Sequence, residues 1–218
     1  MRNRPQFLFF PIVLAVVSIF CLPFMACNRA ALRIPGASLS FPETPTRYAV
    51  QKTYPYNVAV APPTDLRADH YGERVAGTRW TGCQTDALWG DQAPSIIQSR
   101  LATELSASKL FADARPGEPS AGDLVIRSEI HAFCSQVVGF IYNRVAGITA
   151  LNIVLERDGK VLFKQKFERV VTDADPQYTG SQVTFLEQAM RVTMADSLRE
   201  LIRDLLGRLE RDAASWAG

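Results

Sequence analysis

Apolar and polar positions largely alternate in one stretch of the chain. From Leu124 to Cys134 the even positions are largely apolar, whereas odd positions hold Arg127, Glu129 and His131. A period of two residues is typical of a strand with one buried face. Residues 145–156 and 161–170 flank Asp158-Gly159, a strong signal for a two-residue hairpin turn. The pattern therefore predicts three consecutive antiparallel strands.

Two other segments repeat their apolar residues every three or four positions. Ile97, Leu101 and Leu105 predict a helix over residues 91–109, with Asp91 as its N-cap. A longer apolar stripe runs from Leu186 to Leu209 and predicts an amphipathic helix over residues 181–211.

Short strands are also predicted at residues 48–50 and 56–61, the second ended by Pro62-Pro63. The element order is then β-α-β-β-β-α. This order predicts an α+β fold, a two-layer sandwich with a mostly antiparallel sheet of about four strands and two helices on one face.

Two helices cover only one face of such a sheet. A two-residue turn would place Leu151 opposite Lys166 and Ile153 opposite Lys164, which makes the other face partly apolar. Either the lysine stems cover Leu151 and Ile153, or the open face binds a partner. Both interpretations stay open on the sequence alone.

The N-terminus carries an export pattern. Arg2 and Arg4 precede an uncharged apolar run over residues 7–26, which ends at Cys27-Asn28. This predicts a lipoprotein signal peptide over residues 1–26, acylation of Cys27 with palmitate or a similar chain, and sorting to the periplasmic face of the outer membrane. The alternative is an uncleaved inner-membrane anchor with a periplasmic domain, because about 20 apolar residues can span a bilayer.

Composition divides the rest of the chain. Residues 27–47 are rich in Pro, Ser and Thr and predict a flexible tether, followed by a domain over residues 48–211 and a tail over residues 212–218. The chain has 24 basic and 22 acidic residues, and removal of Arg2 and Arg4 with the signal balances the two. A balanced body does not favour nucleic acid as a partner.

Two cysteines fall in the predicted domain. An even pair in an exported domain most often forms a disulfide, here between Cys83 and Cys134. Two separately buried thiols are the alternative.

The sequence offers little catalytic chemistry. Of its two histidines, His131 lies three residues from Cys134 on a predicted strand, so the two side chains should point to opposite faces and share no metal. His70 lies near Asp65 and Asp69 in a loop, where such clusters are usually solvated. No phosphate loop, nucleophile elbow or HExxH motif occurs. We therefore expect no enzyme, no metal and no cofactor.

Residues 64–91 form the best candidate for partner recognition. This stretch gathers Arg67, Tyr71, Arg74, Arg79 and Trp80, which are residue types that dominate protein interfaces. The alternative is that its aromatic residues fold back into the core.

Four short motifs and the long C-terminal helix carry a family resemblance. The motifs are Pro45-Thr46-Arg47-Tyr48, Asn57-Val58-Ala59-Val60, Arg79-Trp80 and Lys109-Leu110-Phe111. In these the chain resembles the ABC-type transport auxiliary lipoprotein family. The resemblance implies a periplasm-facing outer-membrane lipoprotein that assists an ABC/MCE-type transporter. The expected function is a non-catalytic accessory subunit of an envelope transport complex, and the alternative is a regulator or structural module of cell-wall or surface-structure assembly.

Overall fold

The structure, a computed structural model, describes residues 45, 48–70, 72–79, 92–138, 144–172 and 183–216. The predictions for the signal peptide, for Cys27 and for Tyr71, Trp80, Cys83 and Asp91 lie outside these residues.

Eight strands and two helices make up the described regular structure. The strands are β1 (Tyr54–Val60), β2 (Thr64–Asp65), β3 (Arg74–Val75), β4 (Thr78–Arg79), β5 (Phe111–Pro116), β6 (Leu124–Val138), β7 (Arg144–Arg157) and β8 (Lys160–Thr172). The helices are α1 (Ala93–Ser108) and α2 (Val183–Ala213), and a 3-10 turn, Ala214–Trp216, follows α2.

The main sheet has six strands and is mixed. Its order is β5-β1-β6-β7-β8, with β2 paired to β6 beyond the end of β1. Strand β1 is parallel to β5 and β6, whereas β6, β7 and β8 form an antiparallel meander. The expectation of about four strands was therefore wrong in count. The three long strands β6–β8 are antiparallel as predicted, and the short strands β1, β2 and β5 add parallel pairings. The pattern did not reveal β2, with two residues, or β5, which runs into a Pro/Gly break.

The predicted helices and long strands are confirmed with small changes at their ends. Helix α1 begins after Gln92, with Pro94 in its first turn, and closes with Lys109 in a left-handed conformation. Residues 48–50 have no regular structure, so the strand predicted there was wrong. Helix α2 continues two residues past the predicted end, and Trp216 packs into the core beyond it.

One large apolar core holds both helices against the same face of the sheet. It joins α1, α2, β1, β6 and β7, and its fully buried members include Ile97, Leu101, Ile126, Leu151, Ile153, Leu198 and Leu205. A mixed α+β fold with helices on one face therefore stands. We call the opposite side of the sheet the outer face.

A β-bulge at Leu162 changes the predicted hairpin register. The Asp158-Gly159 turn forms with positive φ at both residues, as predicted. Beyond it, however, Glu156 pairs with Val161 and Leu155 with Phe163, so Leu162 is the extra residue on β8. Leu151 therefore lies opposite Phe167 rather than Lys166, and Ile153 lies opposite Gln165 rather than Lys164.

The consequence of this shift is that Phe163 and Phe167, rather than Lys164 and Lys166, share the face of the sheet on which Leu151 and Ile153 lie. Leu151 and Ile153 are 0% exposed and lie in the core under the helices. They therefore do not lie on an open face that could bind a partner, which was one of the two interpretations of the sequence.

A second bulge lies in the middle of β6. Ile130 pairs with Leu151 and Ala132 with Ala150, which leaves His131 without a partner on β7. Before the bulge the even residues face the helices, and after it Phe133 does so while Ala132 and Cys134 join a separate cluster. The single alternation predicted for residues 124–136 is therefore interrupted at His131.

Candidate functional site on the outer face of the sheet

The outer face carries its own covering layer. After Pro62-Pro63 the chain resumes beside β6 as β2, turns at residues 66–70 and forms the β3–β4 hairpin. We call residues 64–70 and 72–79 the cover segment. Val75 of this segment packs with Ala132, Cys134 and Ile148 in an apolar cluster on the outer face.

Arg67 attaches the start of the cover segment to β6. Its guanidinium donates to both carboxylate oxygens of Asp65, with an Nη2–Oδ2 distance of 2.7 Å, and its Nη1 donates to the Phe133 carbonyl at 3.4 Å. The Leu66 N–H donates to the Ile130 carbonyl at 3.0 Å. Burial tends to raise the pKa of Asp65, but the hydrogen bonds from Arg67 outweigh it and the pKa lies below its ordinary value. Arg67 is buried, so it has a structural role and is not an exposed contact residue.

The two histidines of the chain meet where the cover segment crosses the bulge. The rings of His70 and His131 are stacked, with centroids 3.6 Å apart and an interplanar angle of 11°. His70 Nδ1 also lies 2.7 Å from Glu73 Oε1, three residues further on. A turn closed by the His70 N–H on the Leu66 carbonyl positions the first ring. The bulge positions the ring of His131, because a bulge residue has no partner on the neighbouring strand and its side chain can point in a different direction.

Charged groups surround the stacked rings. Glu129 accepts a hydrogen bond from Asn152 Nδ2 at 2.7 Å, and its Oε2 lies 3.6 Å from His131 Nε2. On the other side Lys166 lies 3.8 Å from Glu73 and 2.8 Å from Glu168. Glu168 in turn accepts the Ala76 N–H at 2.9 Å, which attaches the hairpin to β8.

These contacts set the protonation states in the site. Burial lowers the pKa of His131, and repulsion from His70 and Lys166 lowers it further against the opposing effect of Glu129. The hydrogen bond with His70 lowers the pKa of Glu73, and the bond from Asn152 lowers that of Glu129. The site at neutral pH therefore pairs an uncharged His131 with ionised carboxylates.

The pKa of Glu168, at the edge of the site, is lowered as well. Burial tends to raise the pKa of Glu168, but its hydrogen bonds with Lys166 and the Ala76 N–H lower it overall. A third negative charge therefore lies next to the cover segment.

The sequence did not reveal this histidine pair. His70 and His131 are far apart in the chain, and the argument from His131 to Cys134 assumed an uninterrupted strand. A single apolar position, Phe133, between Ala132 and Cys134 was the available signal that the alternation changes phase.

The residues predicted for partner binding are separated by the fold. Arg74 and Arg79 are exposed and lie directly opposite each other on the β3–β4 hairpin. Leu151 and Ile153 lie in the core. Cys134 is buried on the outer face, and its predicted pairing with Cys83 stays a prediction because Cys83 lies outside the described residues.

Comparison with known proteins shows the fold. No family model matches the chain, and no curated protein is significantly similar to it. A Xanthomonas campestris protein with the family model DUF330 is similar in structure, at 16% identity and a TM-score of 0.53, over 80% of this chain and 98% of that chain. A minor lipoprotein from Acinetobacter baumannii aligns at 10% identity and a TM-score of 0.45, over 74% of this chain and 96% of that chain.

Neither helix described above is both long enough and apolar enough to cross a bilayer. This finding concerns the described residues, and the apolar run over residues 7–26 is not among them.

Proposed function

We propose that this protein is a lipid-tethered, periplasm-facing accessory subunit of an envelope transport complex, without catalytic activity of its own. The export pattern ending at Cys27 supports a lipid tether, and Asn28 supports sorting to the outer membrane. The resemblance to ABC-type transport auxiliary lipoproteins supports a transporter as the partner. The fold shared with the DUF330 protein is compatible with this proposal.

One observation supports partner binding by the cover segment. Arg74 and Arg79 form a directly opposed, exposed pair on the β3–β4 hairpin. Like charges directly opposite each other destabilise an isolated hairpin, so an acidic partner surface would relieve the repulsion. The cover segment is fixed to the sheet by Arg67, by Glu168 and by Val75. A fixed segment loses less conformational entropy on binding than a free loop does.

Site-specific crosslinking in cells tests this proposal. A photo-reactive amino acid at Arg79 should capture a subunit of an envelope transporter, identified by mass spectrometry. The matched control is the same group at Val192, an exposed position on α2. Arg74→Glu combined with Arg79→Glu should abolish the crosslink from a third position, Thr78.

The outcomes separate the two candidate functions. Capture of a cell-wall synthase or a peptidoglycan fragment would favour the alternative, a regulator or structural module of cell-wall or surface-structure assembly. Equal capture from Arg79 and Val192 would contradict binding through the hairpin.

A further inference from the structure

We propose that His70, Glu73 and His131 form a binding site for one Zn²⁺ ion, which connects the cover segment to β6. One nitrogen from each histidine and one oxygen from Glu73 lie within 4.8 Å of one another. The inference uses the geometry of the outer face and does not depend on the proposed function.

The spacing of the donor atoms is close to what zinc requires. Tetrahedral Zn²⁺ binds nitrogen and oxygen at about 2.0–2.2 Å, which places its ligand atoms about 3.4 Å apart. Binding of one ion by all three ligands therefore requires the side chains of His70 and His131 to rotate, so that their rings no longer stack. Glu73 is about half exposed and can follow them without repacking the core.

The ligands come from two elements that the fold already holds together. His70 and Glu73 lie one turn apart in the cover segment, where the Glu73 N–H donates to the His70 carbonyl at 3.1 Å. His131 is the bulge residue of β6. An ion bound by all three would therefore join the covering layer to the sheet.

His131 supplies a second, independent observation. Both of its ring nitrogens are buried, and neither has a hydrogen bond within the described part of the chain. Burying an unsatisfied polar atom costs free energy, so such an atom calls for a partner. A metal on one nitrogen would satisfy it, and Glu129, 3.6 Å from Nε2, could orient the ring as carboxylates do for zinc-bound histidines.

The charge of the site suits a dication. Glu73, Glu129 and Glu168 contribute three negative charges, and Lys166 and Lys164, which acts on Glu129, contribute two positive charges, so these side chains carry a net negative charge. Lys166 is 2.8 Å from Glu168 and can remain paired there when Glu73 turns towards an ion.

The donor set selects among metals. Two imidazoles and one carboxylate, with a fourth position left for water, are typical ligands for Zn²⁺. Mg²⁺ and Ca²⁺ prefer sites made of oxygen atoms alone. We therefore expect Zn²⁺ to bind and Mg²⁺ not to compete.

Calorimetric titration of the purified full-length protein with ZnCl₂ tests the site, after removal of metal with a chelator and without a histidine tag. The wild type should bind one Zn²⁺ per chain. Glu73→Gln and His131→Asn should each weaken binding at least about tenfold. Glu156→Gln is the matched control, because Glu156 pairs with Arg127 outside the cluster and should leave binding unchanged.

Hydrogen exchange measures whether the ion joins the two elements. Zn²⁺ should slow amide exchange in residues 66–70 and 72–76 of the wild type and have no such effect in Glu73→Gln, which changes an exposed side chain and should fold normally. The proposal is overturned if the wild type binds no Zn²⁺, or if the Glu73→Gln, His131→Asn double variant binds it with unchanged affinity.

Discussion

Gly147 of β7 lies so close to α2 that a Cβ atom on it would be 2.2 Å from the carbonyl oxygen of Thr193. The helix backbone therefore rests directly on the strand at this point. Backbone atoms cannot swing aside as a flexible side chain can, so the sheet and the helix must separate if residue 147 gains a side chain.

Gly147→Ala should destabilise the protein by about 1–3 kcal/mol through this overpacking. Urea unfolding of the two proteins measures the difference. Gly207→Ala is the matched control, because residue 207 lies within the C-terminal part of α2 and its Cβ would meet only Arg211 Nη1, at 3.7 Å. Because alanine favours a helix interior over glycine, that variant should gain about 0.5–1 kcal/mol. A Gly147→Ala protein as stable as the wild type would contradict the close approach.

A hydrogen bond between the hydroxyl groups of Thr149 and Ser197 also joins β7 to α2, two residues after Gly147 on the strand. Their oxygen atoms are 2.7 Å apart, and both residues are fully buried. Thr149→Val keeps the shape but removes the hydrogen bond, so we expect a loss of about 1 kcal/mol.

A double-mutant cycle isolates that bond. Thr149→Val combined with Ser197→Ala should cost less than the sum of the two single changes, because the second change removes a hydroxyl that has already lost its partner on β7 and keeps only its bond to the Met194 carbonyl. Additive losses in urea unfolding would mean that the bond makes no net contribution.

Long periodic segments were predictable from the sequence, and irregularities within them were not. Helix α2 repeats its apolar residues every three or four positions, and strands β6–β8 repeat theirs every second position. Because each pattern continues over many residues, a few exceptions did not hide it. A bulge adds one residue without changing composition, and the two at His131 and Leu162 reversed the predicted faces. The site depends on those bulges, and for this reason the meeting of His70 with His131 was missed.

Asp65 should make stability depend on acid pH. Its pKa is lowered in the folded protein from 3.8, so its contribution is present above that value and is lost as the pH falls through the folded pKa. We therefore expect the difference in unfolding free energy between wild type and Asp65→Asn to shrink between about pH 5 and pH 3. Urea titrations at both pH values measure it, and a constant difference would contradict the role of the Asp65 charge.

The predicted Cys83–Cys134 disulfide would close a loop of about 50 residues, worth about 3–4 kcal/mol in the chain-entropy model. Peptide mapping without reductant should recover the two cysteines in one linked fragment. Cys83→Ser should lower stability by about that amount under oxidising conditions and have little effect on the reduced protein. Recovery of two unlinked peptides from the exported protein would contradict the prediction.

Cys27→Ala tests the predicted lipid tether. The wild type should be cleaved before Cys27 and carry acyl chains, whereas the variant should be neither cleaved there nor acylated, as judged by intact mass. Membrane fractionation should recover the wild type with the outer membrane. An uncleaved and unmodified wild-type N-terminus would instead support the inner-membrane anchor.

The bulge at His131 has a consequence for how the length of this chain can vary. Ile130 and Ala132 pair with Leu151 and Ala150, which are adjacent residues, so β6 without residue 131 would still match β7 step for step. The other side chains of β6 would stay on the same faces of the sheet. The sheet can therefore form without residue 131, and related chains that lack it would retain the fold while losing the contact between β6 and His70.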